Sequence, residues 1–590
     1  MPPELIVFLY VLIRRPVRAM KIAWWWLTRR RVRARGQLGA AVRSLPATYR
    51  LWIYIKDSCA ASSVIAHDPS AVASLEPAIA LHLHLSSEAD GDAEHTIASV
   101  LRNAGPNWQL IVTAPVHSSR PANLPFDDPR MQFLAHVSPG LGVRLALEHT
   151  GADWIVPLTE GSRLHPSALV RFRHALARAC EAAPPPMVIY ADEDQHDAFG
   201  RRRRPWFKPG WDRDLFVSQD YVFSACMLSR EAAEAALARR PTWHPVSVAD
   251  LTAAILLQPG APPPRHAEFV ALSRPLDAWS QVIPARRETI AELLDLEVDD
   301  GPFGTLSVTY PLPALPPKVS LIVPTRDRLD LLEPCVRGVL EETDWPDLEL
   351  VVADNESIEP ETLAYFERIA ADRRVNVVRW PHPYNFSAIN NFAVAQASGT
   401  YVCLLNNDTE VIERGWLTAM MRHAVRTGVG AVGARLLYPD RSIQHAGVVV
   451  GLGNAAGHAH RGLPAGKPGY FAQAQVARGA TAVTAACLLV ERRKFLEVGG
   501  LDETGLAIAY NDVDFCLKLG RAGYRNMYEP RAVLIHHESK SRGLDFAPEH
   551  MTRYLRELAV FQERWQTVGY KDFMHHVDLD IASEEYKLAL

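Results

Sequence analysis

The chain has no paired cysteines. Its seven cysteines are scattered singly, with no CxxC spacing and an odd count. That excludes a disulfide framework, argues against a cysteine zinc site, and fits reduced thiols in the cytosol. The chain also lacks an excess of positive charge, its formal net charge being −4, so the overall balance gives no support to a nucleic-acid partner. No apolar run near the start reaches membrane-spanning length. Leu5 to Ile13 falls far short of the roughly 20 residues a bilayer demands, and no small-residue cleavage site follows it. Long disordered tracts are excluded by the balance of 48% hydrophobic and 22% charged residues, which is that of an ordinary folded protein. At 590 residues one core is too few, and about three or four domain-sized units are expected.

What is present begins with a cationic, aromatic start. Arg14, Arg15, Arg18 and Lys21 precede Trp24, Trp25 and Trp26, and Arg29, Arg30, Arg31, Arg33 and Arg35 follow. Cations meet anionic head groups and tryptophan favours the water–lipid boundary. The stretch is therefore expected to dock peripherally on an anionic membrane surface, at the inner face of the plasma membrane. A helix packing its aromatic side on the rest of the protein, or a short re-entrant insertion of residues 4–13, are the other arrangements it allows.

Residues 1–75 hold this stretch and a strand-like run, LWIYI at 51–55. Residues 76–285 alternate apolar strand candidates (AIALHLHL from Ala78, WQLIVTA from Trp108, DWIVPL from Asp153, MVIYADED from Met187) with helical patterns such as ALVRFRHALARACEAA from Ala168. Such alternation argues for a mostly parallel sheet covered on both faces. Residues 286–317 form a linker running into YPLPALPPK, whose four prolines favour an extended spacer. The alternation resumes over 318–545. VSLIVPTRDR, LELVVADNES, VNVVRW and GTYVCLLNND read as strands, with helices at LLEPCVRGVLEET (331–343) and PETLAYFERIAADR (360–373). A C-terminal helical extension is expected over 546–590. In an open α/β sheet ligands gather at the carboxyl ends of strands, and PTRDR, ADNES and NND all fall at such ends.

These residues, in this order, make region 319–545 resemble the family 2 glycosyltransferases of GT-A fold, especially bacterial rhamnosyltransferase-like members that build surface polysaccharide. The resemblance implies an α/β fold of two GT-A-type, Rossmann-like domains in tandem, and a nucleotide-sugar donor (a UDP- or dTDP-sugar). It gives each motif a task. Pro324, Thr325 and Arg326 match the opening nucleotide contact. Asp354 and Asn355 fall where the family holds base and ribose, although both residue types also suit a plain turn. Asn391 matches a base contact, with a helix cap as the other reading. NND at 406–408 corresponds to the DxD-type metal motif: Asp408 is the principal ligand of Mg²⁺ or Mn²⁺, and Asn407 offers a neutral oxygen to donor or metal-bound water. His536, with His537 as the alternative, matches a late metal ligand, and Arg542 a diphosphate-neutralising cation. YNDVDF at 510–515 carries the acid motif, with Asp512 as the base that takes the acceptor's proton and Asp514 capping or orienting its helix. A single displacement inverts the anomeric carbon, and the acceptor is a glycan or lipid-linked glycan.

Two further features need a reading. GVVVGLGNAAG (447–457) mimics a dinucleotide fingerprint, but Gly462, Pro464, Gly466 and Pro468 disfavour the helix that fingerprint requires, so a mobile loop near the acceptor is expected. Residues 76–285 look like a degenerate copy of the same fold. The segment from Met187 to Val222 resembles tandem bacterial transferases, yet Thr159, Glu160, Gly161 and Ser162 lack the metal-binding carboxylates. Asp192, Glu193 and Asp194 are then structural or helix-capping. The competing reading of the whole chain is a catalytically silent sugar- or nucleotide-binding scaffold.

Overall fold

The computed structural model describes residues 3–43, 45, 48–58, 78–85, 92–103, 107–115, 128–135, 137, 139–179, 184–239, 247–276, 284–537 and 550–590. Two large sheets dominate them. The first contains β1 (Ile79–His84), β2 (Trp108–Thr113), β3 (Met131–Leu134), β4 (Trp154–Leu158), β5 (Arg163–Leu164), β6 (Val188–His196), β7 (Arg202–Trp206), β8 (Cys226–Ser229) and β9 (Arg265–Pro275). A hairpin of β10 (Glu297–Asp300) and β11 (Leu306–Thr309) follows. The second sheet contains β12 (Val319–Thr325), β13 (Leu348–Asp354), β14 (Val375–Arg379), β15 (Tyr401–Leu405), β16 (Thr409–Val411), β17 (Val429–Leu437), β18 (Ile443–His445), β21 (Arg478–Ala480), β22 (Cys487–Glu491) and β23 (Arg525–His536). β19 (Val448–Val450) and β20 (Ala456–His458) form a separate hairpin.

The two sheets have one topology. The first runs β3-β2-β1-β4-β8-β6-β9-β5, the second β14-β13-β12-β15-β22-β17-β23-β16, with β7 beside β6 and β18 beside β17 as the matching side strands. Each sheet opens with four parallel strands, then passes through an antiparallel strand (β8 or β22) to a parallel pair, and ends on a short antiparallel strand (β5 or β16). The chain is thus α/β with two tandem units of the same doubly covered kind.

Side-chain alternation explains the layers. Ile322, Val351, Ala353 and Leu404 face one hydrophobic core, while Leu321, Val323, Leu350, Val352 and Cys403 face another. A sheet buried on both faces needs such continuous apolar strands, and each buried branched side chain contributes about 1.5–3 kcal/mol. The units are locked together at Asp214, which takes Arg426 and Arg525 at 2.8 Å each and the Tyr310 hydroxyl at 3.0 Å.

Four expectations change. LWIYI is not a strand: residues 48–57 are helical, turning from α-helix (Thr48–Trp52) to π-helix (Ile53–Asp57). Five consecutive apolar residues cannot distinguish the two periods. Here Leu51 and Ile55, spaced i and i+4, face the N-terminal helices, while Trp52 packs on Phe207. The linker is not wholly extended either, because the helix Pro284–Leu294 and the β10–β11 hairpin add Ile290, Leu306 and Val308 to the first unit's core. The 447–457 segment is a hairpin with no following helix, pinned by the tail through Gly453 N–H to Ile581 O (2.7 Å) and Val450 N–H to Asp572 (2.8 Å). Among the described residues of the C-terminal extension, only Met551–Trp565 is helical. Residues 566–590 run without a further helix against Gly210, Lys56 and β20.

Candidate active site

The site is assembled where β12, β13 and β15 end and β23 returns. Thr325 closes β12 opposite Asp354, which closes β13. The Thr325 hydroxyl accepts a hydrogen bond from the Asn407 amide at 2.9 Å, tying the first strand end to the NND turn. Pro324 lies half-buried within β12, and Arg326 is exposed just beyond it. Asp327 and Arg328 both adopt left-handed backbone (φ 51 and 57). Asp327 accepts from the Ile358 and Glu359 amides at 2.8 and 2.9 Å, holding the two loops together.

Asp354 accepts from the Ser357 amide at 2.8 Å, so the turn role is real whatever else it does. Asn355 is buried. Its amide donates to the carbonyls of Trp380 and His382 (3.3 and 2.8 Å), while its Oδ1 has no partner. A buried acceptor left unpaired costs about 1–3 kcal/mol and is a fitted seat for a ligand N–H. Asn391 belongs elsewhere. It sits within the helix Phe386–Gln396, whose cap is Asn385, and its side chain is spent on Leu501 and Glu503. It braces the segment before the acid motif, and the helix-cap reading falls to Asn385.

The cation-binding candidates do converge. Asp408 and His536 are both buried, and Thr409 pairs with His536 across β16 and β23. Asp408 Oδ1 lies 3.0 Å from His536 Nε2. His536 Nδ1 donates to Gln444 Oε1 at 2.7 Å, which puts the lone pair of the neutral ring on Nε2. The Asn406 amide approaches that same Nε2 at 3.1 Å, while its Oδ1 is buried without a partner. Two electron-rich atoms at 3.0 Å call for a shared positive charge, so the donor set fits a divalent cation. Burial works to raise the Asp408 carboxyl; where the shared charge is a proton, making His536 an imidazolium, its hydrogen bond and charge prevail and hold that carboxyl below its usual range. His537 points instead to Glu410, at 3.3 Å. Arg542 lies outside the described residues.

Asp512 reaches this cluster through two peptide units. Its Oδ2 accepts from the Ala485 amide (3.0 Å), and the next carbonyl, Ala486, accepts from Asn406 N–H (3.1 Å). Asp512 is the second residue of the helix Asn511–Arg521, where the helix dipole favours an acid. Tyr510, just before that helix, is left-handed (φ 61), a strained setting for an aromatic residue. It is held by the Tyr554 hydroxyl at 2.7 Å and by stacking on Phe561. Asp514 is structural, accepting from Arg564 (2.8 Å) and Trp565 (2.9 Å). Gln444 and Asn406 were not singled out from sequence. Asn406 sat inside the motif, whereas Gln444 carries no local signal.

The first unit shows the same frame without this chemistry. Between β4 and β5, Gly161 (φ +80) has no room for a side chain, since an added Cβ would lie 2.9 Å from Pro275. The helix Val248–Leu256 begins with Val248 and Ala249 where the second unit has Asn511 and Asp512. The β6 acids cap no helix. Glu193 pairs with Lys208 and Arg274, and Asp194 with Arg202, Tyr49 and Ser273. Asp192 meets Lys208 N–H, His266 and His576. His576 Nδ1 accepts from Asp578 N–H at 3.0 Å, so its ring proton sits on Nε2, facing Asp192. Asp192 Oδ1 is hydrogen-bonded to His266 at 3.0 Å, and the protonated Nε2 of His576, 3.1 Å from Asp192 Oδ2, does not suit a cation ligand.

Residues 320–450 match the family model for glycosyl transferase family 2. The chain is 35% identical over 525 residues to an uncharacterised protein of Sinorhizobium fredii (84% of this chain, 56% of the relative). It is 33% identical over 525 residues to the O-antigen biosynthesis protein RfbC of Myxococcus xanthus (85% and 40%). It is 27% identical over 261 residues to a pre-mycofactocin glycosyltransferase of Mycobacterium tuberculosis (43% and 49%). The chain therefore spans about half the length of the curated relatives it matches. The strand ends of the second unit, from Thr325 to the NND turn, thus lie within a glycosyl transferase family 2 domain that spans residues 320–450.

Proposed function

We propose that the second unit transfers a sugar from a nucleotide diphosphate-sugar to a hydroxyl of a glycan or lipid-linked glycan, in bacterial surface polysaccharide assembly. The observation that carries this reading is the 3.0 Å approach of Asp408 to His536, with Asp512 joined to the same turn through Ala485 and Ala486. A second support comes from relatives, one an O-antigen biosynthesis protein and one a pre-mycofactocin glycosyltransferase. One further relative, 38% identical over 79 residues, is a rhamnosyltransferase acting on a lipid diphosphate, which makes a dTDP-sugar such as dTDP-rhamnose the first donor to try, with UDP-sugars next.

In this reading Asn355 Oδ1 accepts from the base, Thr325 and Asn407 flank the diphosphate, and Arg326 approaches from the open side. Asp408 and His536 would hold Mg²⁺ or Mn²⁺, which would supply neutralisation of the departing diphosphate. The acceptor hydroxyl gives its proton to Asp512 as its oxygen bonds the anomeric carbon and the carbon–diphosphate bond breaks. One displacement inverts that carbon. The first unit, with Gly161 and Ala249 at the corresponding places, serves as a silent companion that packs the second. The acceptor lies at an anionic membrane surface, a placement drawn from the cationic N-terminus.

Donor hydrolysis across a panel of nucleotide sugars, with and without Mg²⁺ or Mn²⁺, tests this. Asp512→Asn should lower transfer about 10²–10⁴-fold while donor binding survives. Donor binding without metal-dependent turnover in the wild type would leave the silent scaffold as the answer, for which Asn406 and Asn407 in place of acids are the specific argument.

A further inference from the structure

The N-terminal helices form a small unit whose packing leaves apolar surface outside. Val7 and Val11 of α1 (Pro3–Arg14), Ala19 and Ile22 of α2 (Pro16–Leu27), and Ala34, Ala41 and Val42 of α3 (Arg31–Arg43) make its core. That core uses one face of each helix. The opposite face of α2 carries Val17, Met20, Trp24 and Leu27, spaced i, i+3, i+7 and i+10, each 60–78% exposed. α1 carries a companion row in Leu5, Leu9, Leu12 and Ile13, all exposed. Trp25 alone of the three tryptophans turns partly inward, beneath Arg33. Among the described residues, the outer row of α2 with Trp24 and Leu27 is left largely uncovered.

Charge completes the picture. From Leu5 to Lys56 the sequence has twelve Lys or Arg and no Asp or Glu. Beside the α2 apolar row, Arg15, Arg18, Lys21, Trp25 and Gln37 line an open concavity of about 470 Å³. Single exposed apolar residues are ordinary, but contiguous rows edged by cations mark an interaction surface.

We propose that α1 and α2 lie in the interface of an anionic bilayer, their outer apolar rows among the acyl chains, and that the Arg15–Arg18–Lys21 concavity takes a phosphodiester lipid head group. This deepens the membrane-surface reading above by naming the faces and the ligand class. A second copy of the chain is the occupant the charge argues against, because two such surfaces repel.

The test uses the full chain and sedimentation with vesicles of phosphatidylglycerol in phosphatidylcholine, against phosphatidylcholine alone. Binding is expected only to the anionic vesicles. Arg15→Ser/Arg18→Ser/Lys21→Ser should weaken it about 100-fold, and Val17→Ser/Met20→Ser/Trp24→Ser/Leu27→Ser should also release the protein. Both variants alter solvent-facing side chains, so unchanged melting midpoints check that they fold. The proposal is overturned if the wild type ignores anionic vesicles, if both variants bind as it does, or if the apolar variant merely turns a dimer into a monomer. Donor hydrolysis measured on the same preparations separates the two claims: vesicle binding without hydrolysis sinks the transferase reading alone, and hydrolysis without vesicle binding sinks this one.

Discussion

Arg564 donates to Asp514 at 2.8 Å across 50 residues of chain, and Asp514 lies two positions after the candidate base Asp512. The fully buried Asp514 carboxylate also takes Trp565 Nε1. The helix Met551–Trp565, outside the matched family region, thereby clamps the acid motif from behind.

Arg564→Met should destabilise the protein by roughly 2–3 kcal/mol. That is below the ~3–5 kcal/mol for stripping a fully buried pair, because Trp565 remains and Arg564 is one-third exposed. Turnover should fall more than donor affinity, since the motif and not the nucleotide seat loses its brace. Thermal unfolding with steady-state kinetics checks this, and equal losses in both constants would place the clamp elsewhere.

Gln444 orients His536 without reaching the donor set itself. Gln444→Leu should weaken divalent-cation affinity about 10–100-fold, beside a stability loss of about 1–3 kcal/mol from the unpaired Nδ1–H. Mn²⁺ titrations read by electron paramagnetic resonance measure it directly. His536→Ala should cost at least as much.

Glu529 is buried against His423 at 2.7 Å and against Arg531. Burial pushes its carboxyl upward, but the His423 hydrogen bond and both cations outweigh that and hold it down to about 2, against 4.5 for an ordinary glutamate. Stability from this carboxylate is therefore complete above pH 4.5 and is lost as pH falls toward 2. Unfolding midpoints across that window should drop more steeply for wild type than for Glu529→Gln.

The tail is a strap over both units. Tyr586 stacks on His460 and Tyr470 at 4.5 and 5.1 Å, Lys56 pairs with Asp578 at 2.7 Å, and Phe573 O accepts from Gly210 N–H at 2.6 Å. Tyr586→Ala should cost about 3 kcal/mol, the lower end for deleting a buried ring. Limited proteolysis should then cut the 447–470 region faster, and an unchanged cleavage rate would mean that hairpin stands without the strap.

Much of the site was legible in order along the chain. Strand ends are local events: an apolar run stops, polar residues follow, and the parallel arrangement puts Thr325, Asp354 and the NND turn on one edge. Asn391 misled because a motif position says nothing of which neighbour its amide will meet, and Leu501 and Glu503 meet it first. LWIYI misled because five apolar residues satisfy either period until a neighbouring surface chooses.

The sequence by itself determined the two α/β units, the carboxylates at the strand ends and the loss of carboxylates from the first copy, because each is written in residues a few positions apart. Only the tertiary structure decided that β22 and β23 return beside β15 and β17, carrying His536 to Asp408 and Asp512 to the NND turn. It alone decided that Gln444 holds the imidazole, and which side of α1 and α2 stays outside. Those outcomes depend on packing between segments a hundred residues apart, where burial and unpaired polar atoms of the whole fold, and no local pattern, set the energy.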